Sequence, residues 1–133
     1  MDNRFKDKVV IVTGASTGIG RAIAIEFARN GSRVMLAARS ESKLSEVVTK
    51  IKEDGGEAAF ICTDVAKEEE CKRLVESTVS EFGTVDILIN NAGISMRALF
   101  DDVDLSVLHR LMDVNFWGTV YCTKYALPYL VKN

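Results

Sequence analysis

Three glycines lie close together where an apolar segment of the chain gives way to an amphipathic one. Residues 13–20 read TGASTGIG and place Gly14, Gly18 and Gly20 in the spacing G-x-x-x-G-x-G. A helix that begins near Gly18 leaves its first backbone N–H groups without carbonyl partners, and its dipole is positive at that end. The segment therefore predicts a turn that binds a phosphate or a diphosphate.

Each glycine has a separate predicted task in this turn. Gly14 allows the tight turn, Gly18 leaves room for close approach of a diphosphate, and Gly20 lets the helix pack close to the strand. The spacing differs from the common fingerprint G-x-G-x-x-G, and three glycines in a strand-to-helix turn can also be purely structural.

Polar or small residues follow the other predicted strands as well. Arg39 follows the second strand, Asp64 follows the third, and residues 90–93 (NNAG) follow the fourth. In open α/β sheets, ligands bind beyond the carboxyl ends of the strands, where the strand order reverses. These strand ends together favour a ligand site over a purely structural turn.

Simpler interpretations of these residues stay open from the sequence. Arg39 can be a solvated surface charge, and Asp64 can cap the following helix with or without contacting a ligand. Asn90 can bridge strand backbones. His109 has no evident partner, so a position on a helix surface is expected for it.

The elements that position these residues alternate along the chain. Apolar runs predict strands over residues 9–12, 33–38, 58–62 and 85–89, and amphipathic segments between them predict helices. The strands begin about every 25 residues, which is the rhythm of βαβ units. The pattern predicts an α/β fold with a doubly wound parallel sheet.

The ends and inner faces of the helices are also predicted. The first helix places Ile19, Ile23 and Phe27 on one face and stops at Gly31. Ser40 caps the second helix. Residues 104–130 read as one long helix that Pro128 kinks or frays near its end, with apolar side chains at Leu108, Leu111, Met112, Phe116, Trp117 and Val120.

Length and composition narrow the classes of function. The 133 residues match one domain over 1–133, and a formal charge of −2 without charge runs argues against nucleic-acid or anionic-membrane partners. The 3 cysteines show no metal-ligand or disulfide spacing, so no metal is expected. Neither a signal-peptide core nor a membrane span is found, which predicts a cytoplasmic protein with a small-molecule partner.

Taken together, the motifs resemble the N-terminal half of the short-chain dehydrogenase/reductase family, whose members have a Rossmann-type fold. The T-G-x-x-x-G-I-G turn of the family matches residues 13–20, its N-N-A-G motif matches residues 90–93, and its acidic-then-apolar adenine contact matches Asp64 and Val65. Residues 94–97 and Pro128 are similar to the branch that includes steroid-type and retinol-type reductases. The resemblance covers essentially the whole chain.

The resemblance implies a cofactor and the residues that hold it. It implies that the turn holds the diphosphate, that Asp64 and Val65 meet the adenine, and that Asn91 and its successors line the nicotinamide ribose. Members that prefer NAD carry an Asp where this chain has Ala38, and here Arg39 follows instead, which suits the 2′-phosphate of NADP. The implied cofactor-binding residues are Gly14, Ser16, Thr17, Gly18, Ile19, Gly20, Arg39, Asp64, Val65, Asn91, Ala92 and Gly93.

The resemblance further implies hydride transfer between NADP(H) and a carbonyl or secondary alcohol. Asn115 matches the family's catalytic asparagine, which brackets a water in a proton relay; read by itself, it is a polar residue satisfied within a helix. The family's catalytic Ser and its Tyr-x-x-x-Lys are not found here, since Tyr121 and Lys124, like Tyr129 and Lys132, are three residues apart.

The end of the chain at Asn133 falls about where the family enters its fifth strand. We therefore expect the cofactor-binding half of an oxidoreductase, inactive alone, with the fourth strand exposed at an edge that invites association. The alternative is a non-catalytic dinucleotide-binding or scaffold module. The long helix commonly pairs with its copy in this family, which implies a homo-oligomer, a dimer or tetramer, for the intact protein.

Overall fold

A parallel sheet forms the centre of the computed structural model, which describes residues 3–95 and 99–133. Its strands are β1 (Val9–Thr13), β2 (Arg33–Ala38), β3 (Glu57–Cys62) and β4 (Ile87–Ile89), in the order β3-β2-β1-β4. Every pairing is parallel. The predicted strands are confirmed, although β4 is shorter than residues 85–89. Met96 and Arg97, which belong to the predicted branch motif, lie outside the described residues.

Helices follow the strands along the chain. They are α1 (Gly18–Arg29), α2 (Glu41–Glu53), α3 (Glu68–Phe82), α4 (Leu105–Met112) and α5 (Gly118–Leu130). The predicted ends are confirmed where the chain carries a strong signal. The Ser40 side chain accepts a hydrogen bond from the Lys43 amide at the start of α2, and Gly31 has the positive φ angle expected just after the end of α1.

Two apolar layers hold the helices against opposite faces of the sheet. Val10 and Val12 of β1 belong to the layer with α1 and α2, whereas Ile11 of the same strand belongs to the layer with α3 and α5. Alternate residues of a strand point to opposite faces, so a strand buried on both faces needs apolar side chains throughout. This is the predicted doubly wound arrangement. Each fully buried Leu, such as Leu36 or Leu74, contributes about 2 kcal/mol through burial.

The predicted inner face of α1 is wrong at its first residue. Ile19 is 73% exposed, whereas Ile23 and Phe27 are partly buried against the core. The buried face of α1 consists of small side chains and one Ile instead, namely Gly20, Ala24, Ile25 and Ala28. The helical spacing of Ile19 predicts a side chain packed in the core, but this side chain lies at the rim of a cavity described below.

The predicted long helix is continuous but not uniformly α-helical. A short 3₁₀ turn (Phe100–Asp102) precedes α4, and a π-helical segment (Asp113–Trp117) separates α4 from α5. Pro128 lies inside the last turn of α5. Its missing N–H removes one helical hydrogen bond. The π segment changes which side chains face the core, so Val114 is buried while Phe116 and Trp117 are exposed.

Candidate functional site

The glycine-rich turn connects β1 to α1 in a conformation that only glycine adopts easily. Gly14 has φ +62° and Gly18 has φ +55°, in the left-handed region where side chains are strained. A Cβ on Gly14 would lie 2.9 Å from the Ala92 Cα, whereas a Cβ on Gly18 would meet nothing within 4 Å. Gly14 therefore packs against the loop after β4, and Gly18 faces open space.

Gly20 makes the closest backbone approach of this turn. A Cβ there would lie 2.1 Å from the Gly14 carbonyl oxygen and 2.4 Å from Nδ2 of Asn91. The first turn of α1 thus packs against the preceding glycine turn and the Asn91 amide, rather than simply against the strand as expected. The glycine at this position lets the turn, the helix and the loop after β4 meet.

Thr13 ties the loop after β4 to the end of β1. Its hydroxyl oxygen accepts hydrogen bonds from the amides of Asn91 (3.0 Å) and Ala92 (2.9 Å), and it donates to the Ile89 carbonyl at 3.4 Å. The Asn91 side chain in turn donates to the Gly14 carbonyl at 3.2 Å. The two loops that resemble family motifs are therefore held together by bonds between residues 76 or more positions apart.

These loops border a cavity of about 520 Å³ at the carboxyl ends of the strands. The sheet order reverses between β1 and β4, which is where an open α/β sheet forms its ligand crevice. All the predicted cofactor-binding residues line this cavity except Gly20, which lies behind the turn, and Asn115 is also outside the lining. The lining residues that were predicted are Gly14, Ser16, Thr17, Gly18, Ile19, Arg39, Asp64, Val65, Asn91, Ala92 and Gly93.

Several lining residues were missed by the sequence reasoning. Ser40 and Lys43 border the cavity from the first turn of α2, next to Arg39. Their position directly after a strand end is a local signal that could have been used. Arg110 and Val114 reach the cavity from the long helix, and no local pattern marks them, because their position depends on how that helix packs. The other missed residues are Ala37, Thr63 and Ile94, and the lining also includes Ala38, which the sequence analysis used for the choice of cofactor.

Cations and one carboxylate set the charge of the cavity wall. Asp64 forms a salt bridge with Arg110, with 3.5 Å between Oδ2 and Nη1. Within residues 3–95 and 99–133, Arg39 and Lys43 take part in no salt bridge. The end of the cavity at β2 therefore carries two cations whose charge no described carboxylate neutralises.

Asp64 forms a turn just before α3 and does not cap that helix as one interpretation of the sequence expected, because α3 begins at Glu68 and its N-cap residue is Lys67. Its Oδ1 accepts from the Ala66 amide at 3.1 Å, and its own amide donates to Oε1 of Glu70 at 2.9 Å. The bond to the Ala66 amide, two residues on, is that of an Asx turn. The two bonds fix the backbone at the end of β3 and leave part of the Asp64 carboxylate at the cavity wall.

The carbonyl of Val65 accepts a hydrogen bond from a buried thiol. Cys71 donates to the Val65 carbonyl oxygen at 3.3 Å, and both residues belong to the apolar layer with α3 and α5. A hydrogen bond with the buried Cys122 thiol and burial itself raise the pKa of Cys71. Cys71 therefore stays a neutral thiol and keeps its donor at ordinary pH.

Both predicted asparagines on the other side of the cavity make long-range bonds. Asn115, in the π segment, accepts from the Ile94 amide and donates to the Ile94 carbonyl, each at 2.8 Å. Its side chain thus holds the loop after β4 against the long helix. Asn90 donates to the hydroxyl of Thr123 at 3.2 Å, which links β4 to α5.

Most of the chain matches proteins of one known family. A family model described as short chain dehydrogenase matches residues 8–133. The chain is 43% identical over 125 residues to 11-beta-hydroxysteroid dehydrogenase A of Sesamum indicum and 44% identical over 128 residues to the protein of that name from Arachis hypogaea. These matches span 92% and 95% of this chain but 36% and 37% of the relatives. The chain therefore spans little more than a third of their length.

A solved structure has the same backbone arrangement. The crystal structure of hydroxysteroid dehydrogenase from Escherichia coli superposes with a TM-score of 0.94 at 33% identity, over 98% of this chain and 55% of that one. Within the described residues, no helix combines the length and apolar character that crossing a bilayer requires.

Proposed function

The chain belongs to the short-chain dehydrogenase family, and from this premise we propose that it forms the cofactor-binding half of an oxidoreductase that transfers hydride between NADP(H) and a carbonyl or secondary alcohol. The observation that carries the proposal is the cavity at the carboxyl ends of the strands, with the glycine-rich turn at one side and Arg39, Asp64 and Asn91 around it.

The residues present fit a dinucleotide. The open space at Gly18 and the adjacent start of α1 suit a diphosphate, because unpaired amides and the positive end of the helix dipole meet there. Asp64 and Val65 would hold the adenine end, and Asn91 to Gly93 the nicotinamide ribose. When bound, the dinucleotide supplies the hydride donor or acceptor.

The preference for NADP over NAD rests on charge. Ala38 cannot offer the carboxylate that binds both ribose hydroxyls in NAD-preferring proteins, whereas Arg39 provides a bidentate partner for a 2′-phosphate. Lys43 adds a second cation on the same wall. Both cations lack a described carboxylate partner, so neither has to lose an ion pair when a phosphate binds.

Asn115 serves this site by holding the loop after β4. Its side chain accepts one hydrogen bond from the Ile94 amide and donates one to the Ile94 carbonyl, so it positions residues that line the cavity. We propose that Asn115 also has the water-bracketing role that the family resemblance implies. The relatives are named hydroxysteroid dehydrogenases, and a hydroxysteroid is accordingly the first secondary alcohol to test.

A homo-oligomer is also proposed for the intact protein. Large apolar side chains of the long helix stay exposed, with Met112 at 53%, Phe116 at 49% and Trp117 at 43%. Their contiguous position suits contact with the same helix of a second copy. Sedimentation should show association that Trp117→Ser weakens and that Val131→Ser, at another exposed apolar position, leaves unchanged.

Charge reversal at Arg39 tests the cofactor. Arg39→Asp should weaken NADPH binding at least about tenfold, because a charge-assisted bidentate contact is lost and a repulsion is introduced, while NADH binding should improve. The Kd of each dinucleotide is measured by its fluorescence on binding. The control is Arg73→Asp, since Arg73 is an exposed residue of α3 outside the cavity wall.

Three results separate the parts of this proposal. An unchanged ratio of the NADPH and NADH affinities in Arg39→Asp would refute the phosphate role of Arg39. Lack of binding of either dinucleotide to the unsubstituted chain would refute the cofactor site. Oxidation of a hydroxysteroid with NADP by the intact protein would support the enzyme over the non-catalytic module.

A further inference from the structure

One salt bridge crosses the cavity wall between elements that are distant in sequence. Arg110 of α4 meets Asp64 after β3, with 3.5 Å between Nη1 and Oδ2. The side chains are 37% and 18% exposed. The helical pairs Arg29 with Glu26 and Lys72 with Glu76 are within single helices and have exposures from 47% to 69%.

The lower exposure of Asp64 and Arg110 affects how strongly these two side chains interact. Solvated pairs within one helix contribute little, because water and salt screen them. Asp64 and Arg110 are shielded on the protein side and face the same cavity. Among residues 3–95 and 99–133, Arg110 makes no other salt bridge or hydrogen bond with its side chain, so its guanidinium is placed chiefly by this one carboxylate.

The two oxygens of Asp64 are held by different elements. Oδ1 accepts from the Ala66 amide in the turn before α3, and Oδ2 meets Arg110 of α4. An ionised carboxylate offers about four lone-pair positions, so these contacts leave acceptor capacity for a ligand. With both oxygens held, rotation of the carboxylate is restricted, and the remaining acceptor positions have a defined direction.

We propose that Arg110 is a positioning residue for recognition of the adenine base. It holds the Asp64 carboxylate so that a free lone pair accepts from the exocyclic amino group of adenine. This inference rests on the proposed dinucleotide site and adds to it the residue that orients the base contact. Arg110 acts through Asp64, so its effect depends on the amino group of the base.

A dinucleotide without that amino group provides the probe. Nicotinamide hypoxanthine dinucleotide phosphate, in reduced form, carries a carbonyl oxygen where NADPH carries the amino group and a protonated N1 beside it, and the rest of the molecule is the same. Arg110→Met should weaken NADPH binding about fivefold, the loss of an oriented bond to a charged acceptor, and should change binding of the hypoxanthine dinucleotide less than about twofold.

Matched variants separate positioning from folding. Arg73→Met removes an exposed arginine outside the cavity wall and should change neither Kd. Arg110→Lys keeps the charge and should restore part of the NADPH affinity. Arg110→Gln provides a second neutral variant, and the urea midpoint of every variant reports on folding.

A double-mutant cycle tests whether Arg110 acts through Asp64. In an Asp64→Asn background, Arg110→Met should cause no further loss of NADPH affinity, because the carboxylate that it orients is gone. Additive losses, or equal losses for both dinucleotides, would overturn the proposal while leaving the proposed function intact. Failure of the unsubstituted chain to bind either dinucleotide would overturn both.

Discussion

The hydroxyl of Thr13 is predicted to be a main support of the site. Thr13→Val keeps the shape of a buried side chain that is 1% exposed, but it removes the acceptor for the amides of Asn91 and Ala92. The Asn91 amide also donates to the Ile89 carbonyl at 3.1 Å, so it keeps a partner. The Ala92 amide has no other partner within the described residues.

The cost follows from this difference between the two amides. One unsatisfied backbone N–H costs about 1–3 kcal/mol. Loss of one of the two acceptors of the Asn91 amide, which keeps the other, costs a few tenths of a kcal/mol. Because Ala92 is only half-buried, we expect a loss near the lower end, about 1.5 kcal/mol in the free energy of unfolding. Dinucleotide binding should weaken as well, since the loosened loop lines the cavity.

Urea unfolding with a matched control makes the prediction sharp. Thr78 is equally buried, and its hydroxyl donates to the Leu74 carbonyl of the same helix at 2.8 Å. That carbonyl keeps its helical N–H partner in Thr78→Val, so this control should lose at most about 0.5 kcal/mol. Equal losses in Thr13→Val and Thr78→Val would refute the reasoning, and Thr13→Ser should recover most of the stability.

Two further predictions concern titration and thiol reactivity. The hydrogen bond to Glu68 raises the pKa of Tyr125 from 10.0 to about 12. The contribution of this bond to the free energy of unfolding is therefore complete below pH 10 and is lost as the pH rises through 12. Tyr125→Phe should therefore show a smaller loss of stability than the unsubstituted chain over this interval in urea titrations, and an identical loss would contradict it. Cys62 is exposed whereas Cys71 and Cys122 are buried, so a disulfide reagent should modify one thiol quickly in the native protein and all three in denaturant; rapid modification of all three without denaturant would contradict the packing.

Much of the fold could be predicted from local signals. A strand that is buried on both faces is apolar along its length, so the apolar runs predict both β1 and β2, with the bounds of β2 exact and those of β1 one residue short. Ser40 and Gly31 marked helix ends because capping and positive φ have strict residue preferences. The prediction that Ile19 packs in the core is wrong, because helical spacing alone does not show whether an apolar side chain faces the core or the rim of a cavity.

The interruption of the long helix was beyond such signals. A π-helical segment has no simple residue signature, since it differs from an α-helix by one residue in the hydrogen-bond ladder. It decides that Val114 is buried while Phe116 and Trp117 are exposed. The periodicity of the apolar residues could not show this change of face.

The alternation of strands and helices, the glycine turn and the polar residues at the strand ends follow from the order of residues, because each depends on short-range backbone preferences and hydrophobic patterning. How those strand ends meet depends on the packing of the whole chain. Three features show this dependence: the bonds of Thr13 to the loop after β4, the salt bridge of Arg110 with Asp64, and the place of Lys43 on the cavity wall. Each brings together residues that are distant in sequence, and no short stretch of the sequence marks such contacts.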